Sequence, residues 1–106
     1  MKNVMLTKKR RKEAKMARHS KSDGTSCDIK PHDGKRFSLG EAQKLVGGYV
    51  QVIQLSDSVI MLMDEEGKLK GKPVNESATA IAQLKKAIYP NDCVVGDVVI
   101  CRSDEF

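Results

Sequence analysis

The chain has 106 residues, 40% hydrophobic and 31% charged, with a formal net charge of +5. That length supports one small hydrophobic core and not two. Aromatic residues make up 4% with no Trp, too few for the stacking platforms of single-strand nucleic-acid binders. No run reaches the roughly 18 uninterrupted apolar residues of a membrane span, and no apolar signal core opens the chain. The three cysteines, Cys27, Cys93 and Cys101, have spacings that suit neither a disulfide framework nor a zinc site. The expectation is a reduced, cytoplasmic protein.

The charge is unevenly placed. Residues 1–36 hold twelve Lys and Arg against four acids, a balance of +8, and residues 37–106 hold seven against ten, a balance of −3. A basic arm, residues 1–28, is therefore expected ahead of a compact domain, residues 29–106. Lys8, Lys9, Arg10, Arg11, Lys12, Lys15 and Arg18 repel one another and cannot bury enough apolar surface to order alone. On a polyanion they would release counterions, so this arm is the candidate nucleic-acid-binding segment.

Structural signals become dense from Phe37. Ser38 and Glu41 have capping-box spacing, and Gly47-Gly48 supplies a helix stop, so a short helix is predicted between them. Tyr49–Leu55 reads as a half-buried strand, and Val59–Met63 as a wholly apolar one covered on both faces. Ser56-Asp57-Ser58 makes the two a hairpin. Asp64–Gly67 is a turn, after which Lys68-Leu69 is expected to return as an edge. Asn75 caps a second helix whose apolar positions are Ala78, Ile81, Leu84 and Ile88, ending before Pro90. Cys93–Val95 and Asp97–Cys101 form the last strand, interrupted at Gly96. The fold class is α+β, a single small sheet with two helices packed on it.

Several segments together resemble the domain of unknown function 3846 family. These are Ile29-Lys30-Pro31, Asp33-Gly34-Lys35, Phe37-Ser38-Leu39, Val46-Gly47-Gly48-Tyr49 and Asp64–Leu69, followed by Asn75 with Ala78-Thr79 and by Val95-Gly96-Asp97-Val98. The resemblance covers about residues 29–103, with Gly40 standing where the family tends to carry a better helix former. It implies a small phage, plasmid or bacterial protein in the cytoplasm of a bacterial host, acting by binding, with anti-defence roles typical of that company. It implies no established chemistry.

The residues themselves carry little catalysis. His19 and His32 are the only histidines, and neither stands beside an obvious nucleophile, so no enzymatic activity, catalytic residue or cofactor is expected. Cys27, His32, Cys93 and Cys101 could gather on zinc, but small hydrophobes in strands is the simpler reading. Asp64, Glu65 and Glu66 lack calcium-loop spacing and read as a solvated turn. The remaining candidate is the start of the second helix, where Lys70, Lys72, Asn75, Ser77 and Thr79 could hold an anionic group. Two functions follow. The first is a non-enzymatic binding protein that takes a nucleotide ligand or a host protein. The alternative is a nucleic-acid accessory protein using the basic arm. Self-association is expected for either, since a small core leaves an apolar sheet edge open.

Overall fold

The computed structural model describes residues 17–106. They form a five-stranded antiparallel sheet with one helix on each face. In chain order the elements are β1 (Ala17–Ser20), β2 (Ser26–Ile29), α1 (Leu39–Val46), β3 (Val50–Gln54), β4 (Val59–Asp64), α2 (Glu76–Leu84) and β5 (Val98–Arg102), closed by a 3-10 turn over Ser103–Glu105. The strand order is β2-β1-β5-β4-β3. The β1–β2 hairpin thus forms one side with β2 at the edge, the chain crosses to the other side through α1, and it returns to the middle through α2.

Strand alternation divides the core in two. Ala17, Ile60, Leu62, Val99 and Cys101 face α1, where Phe37, Ala42 and Val46 cover them. Met61 and Val98 face α2, where Ala78, Ala82, Val94 and Leu55 pack. The unbroken apolar run of β4 is explained by this sandwich, because both of its faces are under a helix. Burial also pushes the Cys101 thiol up to about 12, leaving it a small hydrophobe rather than a nucleophile.

The local signals of α1 appear as expected. Ser38 Oγ accepts from the Glu41 amide at 3.1 Å and the Ser38 amide donates to Glu41 Oε1 at 2.9 Å. Gly47 stops the helix at φ 79°, a left-handed conformation that side chains resist. The β3–β4 hairpin forms, with Val50 opposite Asp64 and Gln54 opposite Ile60.

Four expectations change. Residues 17–28, assigned to the basic arm, belong to the sheet as β1, most of β2 and the turn between them. Arg18 in particular lies in β1, where its guanidinium donates to Asp28 and Ser26 at 3.0 and 2.8 Å. The hairpin turns at Lys21–Thr25, where Gly24 lies at φ 95° and Asp23 accepts from the Thr25 amide and hydroxyl. Lys8, Lys9, Arg10, Arg11, Lys12 and Lys15 lie outside the described residues.

Lys68-Leu69 is a turn rather than an edge strand, and Leu69 is 87% exposed. Helix α2 ends at Leu84, a turn earlier than expected. The amide of Ala87 reaches back to Ala82 O and that of Lys86 to Gln83 O, with Lys86 left-handed at φ 58°. This double reach-back closes the helix with a lysine at the position glycine usually fills. Its buried residues are Ala78 and Ala82, and Leu84 points to solvent. Finally, Cys93–Val95 stands apart from β5, joined to the fold by a bridge between Val95 and Val74.

These assignments separate two leucine-sized positions. Met61, fully buried between β4's neighbours and α2, should lose about 2–5 kcal/mol on replacement by Ala, while Leu84→Ala should change stability by less than about 0.5 kcal/mol. Urea unfolding midpoints of the two variants measure the difference.

Candidate functional site

The densest polar cluster lies at one end of the sheet, where β4 ends beneath the C-terminus of α1. Asp64 is the last residue of β4 and faces α1, and its side chain has no exposure to water. Lys70 Nζ and Lys72 Nζ meet Asp64 Oδ2 at 2.9 and 2.7 Å, and the Glu66 amide donates to Oδ1 at 2.9 Å. The same two ammonium groups donate to the end of α1, Lys72 to Val46 O at 2.9 Å and both lysines to Gly47 O at 3.2 Å. His19 Nε2 from β1 bonds Leu45 O at 2.9 Å. Helix C-termini carry unsatisfied carbonyls and partial negative charge, and here side chains from β1 and the β4–α2 connection satisfy them.

Two glycines permit this arrangement. Gly47 provides the left-handed turn, and at Gly48 a Cβ would lie 2.6 Å from the Asp64 carboxylate carbon. The second glycine is therefore required by the buried acid and not by the helix stop. Burial alone would raise the Asp64 carboxyl, but hydrogen bonds from Lys72, Lys70 and the Glu66 amide outweigh it and hold the group at about 2.

Asn75 forms the second polar centre, 1% exposed. Its Oδ1 caps α2 by accepting from the Ala78 amide at 3.0 Å. Its Nδ2 donates to Ser20 O in β1 and to Gly96 O before β5, both at 2.9 Å. Every hydrogen-bonding direction of the amide donor pair is used within the fold. Thr79 Oγ1 both donates to Val94 O and accepts from the Val94 amide.

Of the residues expected to hold an anion, Lys70, Lys72, Asn75, Ser77 and Thr79, four bond within the fold and one is exposed. The two lysines turn away from α2 toward Asp64, Asn75 and Thr79 bond to main chain, and Ser77 is exposed on α2. The buried Asp64 carboxylate draws both ammonium groups to itself. Sequence reading missed Asp64 by grouping it with the solvated turn Glu65-Glu66. The available signal was an acid continuing the apolar alternation of β4 opposite paired glycines.

A family model for a domain of unknown function (DUF3846) matches residues 16–106. The chain belongs to this family. No curated protein and no solved structure matches it. The match begins at β1, so the family unit includes the first hairpin, ahead of residue 29 where the resemblance first becomes legible. Within the DUF3846 domain, the segments carrying that resemblance meet around the two polar centres: Val46-Gly47-Gly48 and Asp64 at the first, Asn75 and Gly96 at the second.

Among the described residues no group of three His, Cys, Asp or Glu could hold a metal ion. A depression of about 160 Å³ lies on the α2 side of β3 and β4, lined by Ile53, Met63, Leu69 and Ile88 together with Glu65 and Asp92. Lys68 bonds Asp92 there. Ile88 also lines a neighbouring depression with Tyr89 and Pro90. Leu69, Leu84 and Tyr89 are the most exposed large apolar side chains, at 87%, 79% and 79%.

Asp64 sets an acid limit on stability. Its folded value is lowered from an ordinary 3.8 to about 2, so its contribution is complete above about pH 4 and lost as pH falls through about 2, a change on the order of 2 kcal/mol. Asp64→Asn should flatten this limb and cost about 3 kcal/mol at neutral pH by stranding the lysines. Denaturant titrations from neutral to strongly acidic pH would display both effects.

Asn75→Ala should cost about 2–4 kcal/mol, since it removes a helix cap and leaves two buried carbonyls unpaired. Asn75→Asp should be no better, because an acceptor would then face Ser20 O and Gly96 O. Thermal melts of the two variants provide the comparison.

Proposed function

We propose that the protein is a non-enzymatic binding module of phage or mobile-element type whose ligand is a host protein, engaged through the apolar groove beside β3. The observation that supports this reading is the continuity of Leu69, Ile53, Ile88 and Tyr89 along two adjoining depressions. Exposed apolar side chains gathered in this way mark contact with other proteins. A nucleotide fits the first depression less well, because Glu65 and Asp92 line it and its lysine, Lys68, is already paired with Asp92. With Lys70 and Lys72 committed to Asp64, the host-protein branch is the better supported one. A role in countering host defence accords with the company this family keeps.

The nucleic-acid reading keeps one supporting feature. The cationic run of residues 8–15 stands just ahead of β1 in the sequence, and its charges would release counterions on a polyanion.

Affinity capture from host cells with the native chain and with a variant carrying Leu69→Glu and Tyr89→Glu tests these readings, with quantitative mass spectrometry of everything retained. Both substituted side chains are exposed, so circular dichroism should be unchanged. The expected result is a defined host protein whose recovery falls at least about tenfold with the variant, the loss of a central apolar anchor. Equal recovery, or a stoichiometric nucleotide on the purified chain, would overturn the groove reading. Nucleic acid retained equally by both and released by salt would transfer the function to the basic segment.

A further inference from the structure

β3 is an edge strand, and among the described residues only β4 pairs with it. The direction of its outer backbone groups follows from two hydrogen bonds. The Glu65 amide donates to Tyr49 O at 2.8 Å and the Leu55 amide donates to Val59 O at 2.9 Å. Tyr49 and Leu55 therefore face β4, and antiparallel alternation places Gln51 and Ile53 with them. The N–H and C=O groups of Val50, Val52 and Gln54 point away from the sheet.

Those three residues are spaced symmetrically about Val52. We propose that β3 pairs with the β3 of a second copy, antiparallel about a two-fold axis at Val52, so that two five-stranded sheets become one continuous sheet. Val52 then stands opposite Val52 of the second copy, and Val50 opposite Gln54 of the second copy. Each outward donor meets an outward acceptor, about six hydrogen bonds in all. Such an isologous contact closes on itself and leaves no further edge of the same kind.

The side chains suit a copy of the same strand. No Asp, Glu, Lys or Arg occurs between Lys44 and Asp57, so pairing brings no like charges together. Val52, 45% exposed, and Tyr49, 66% exposed, would gain apolar cover. The register carries Asp57 of one copy toward Gly47 of the other, whose carbonyl Lys70 Nζ already holds, which is a complementary pairing of charge. The opposite edge has none of these properties. β2 is four residues long, contains Asp28, and runs into Lys30-Pro31. Charge and proline are devices that protect an edge from pairing, and they are present on or beside β2 and missing from β3. This inference stands apart from the groove reading, since it uses the main chain of β3 and the side chains on its outer rim.

Sedimentation equilibrium of the full-length chain from about 1 to about 300 µM is the test, a range suited to the modest area that one pair of strands buries. The native chain should show a monomer–dimer equilibrium. V52K and V52E should each weaken it at least about tenfold by placing like charges face to face at the axis, and an equimolar mixture of the two should recover dimer. Val52 is exposed in the single chain, so both variants should melt close to the native chain. A native chain that stays monomeric throughout overturns the proposal, whatever else covers the edge. So does a V52K chain that dimerises like the native one, or a mixture that remains monomeric.

Discussion

A carboxylate without access to water ends β4, and the two lysines that neutralise it also hold the last carbonyls of α1. Removing Asp64 takes the counter-charge from both lysines, and removing Lys72 takes the side-chain donor from Val46 O. The cluster therefore acts as a fastener between layers. It fixes α1 over the β3–β4 end of the sheet and draws the 65–72 connection against the same corner. Gly48 belongs to the device as much as the charged groups do, because the carboxylate occupies the space its side chain would fill.

Asn75 does comparable work on the other face. One amide group caps α2 and reaches both β1 and the segment before β5, so the helix start is registered against two strands at once. With Asp64 on the α1 side and Asn75 on the α2 side, a sheet of short strands is pinned above and below. Small domains have little apolar surface to bury, and specific buried polar contacts then decide which packing is adopted. This consumption of polar groups by the fold leaves Lys70, Lys72, Asn75 and Thr79 bonded within the domain.

Much of the fold was legible because its signals are local. Ser38 with Glu41, Gly47, the Val59–Met63 run and Asn75 each act within a few residues of themselves, and each appears where it was expected. The first hairpin was not legible. Ala-Arg-His-Ser and Ser-Cys-Asp-Ile have weak apolar alternation, and Arg18 looked like part of a charge run until Asp28 was seen opposite it. The end of α2 was misjudged because Leu84 continues the helical period while Lys86 adopts the left-handed turn that a glycine would have advertised. The partner of Lys70 and Lys72 was likewise not legible. Lys70 and Lys72 lie near Asn75 in sequence, yet their counter-charge, Asp64, is in the preceding strand.

The sequence by itself determined an α+β domain of one sheet and two helices, its caps and turns, and its family, because these depend on neighbouring residues and on periodicity along the chain. Only the tertiary structure decided that the helices lie on opposite faces, that Ala17–Ile29 supplies two of the five strands, and that both lysines meet Asp64. Those outcomes depend on which groups meet across the sheet. A buried carboxylate takes whichever cations the fold brings within reach, and spacing along the chain does not encode that distance.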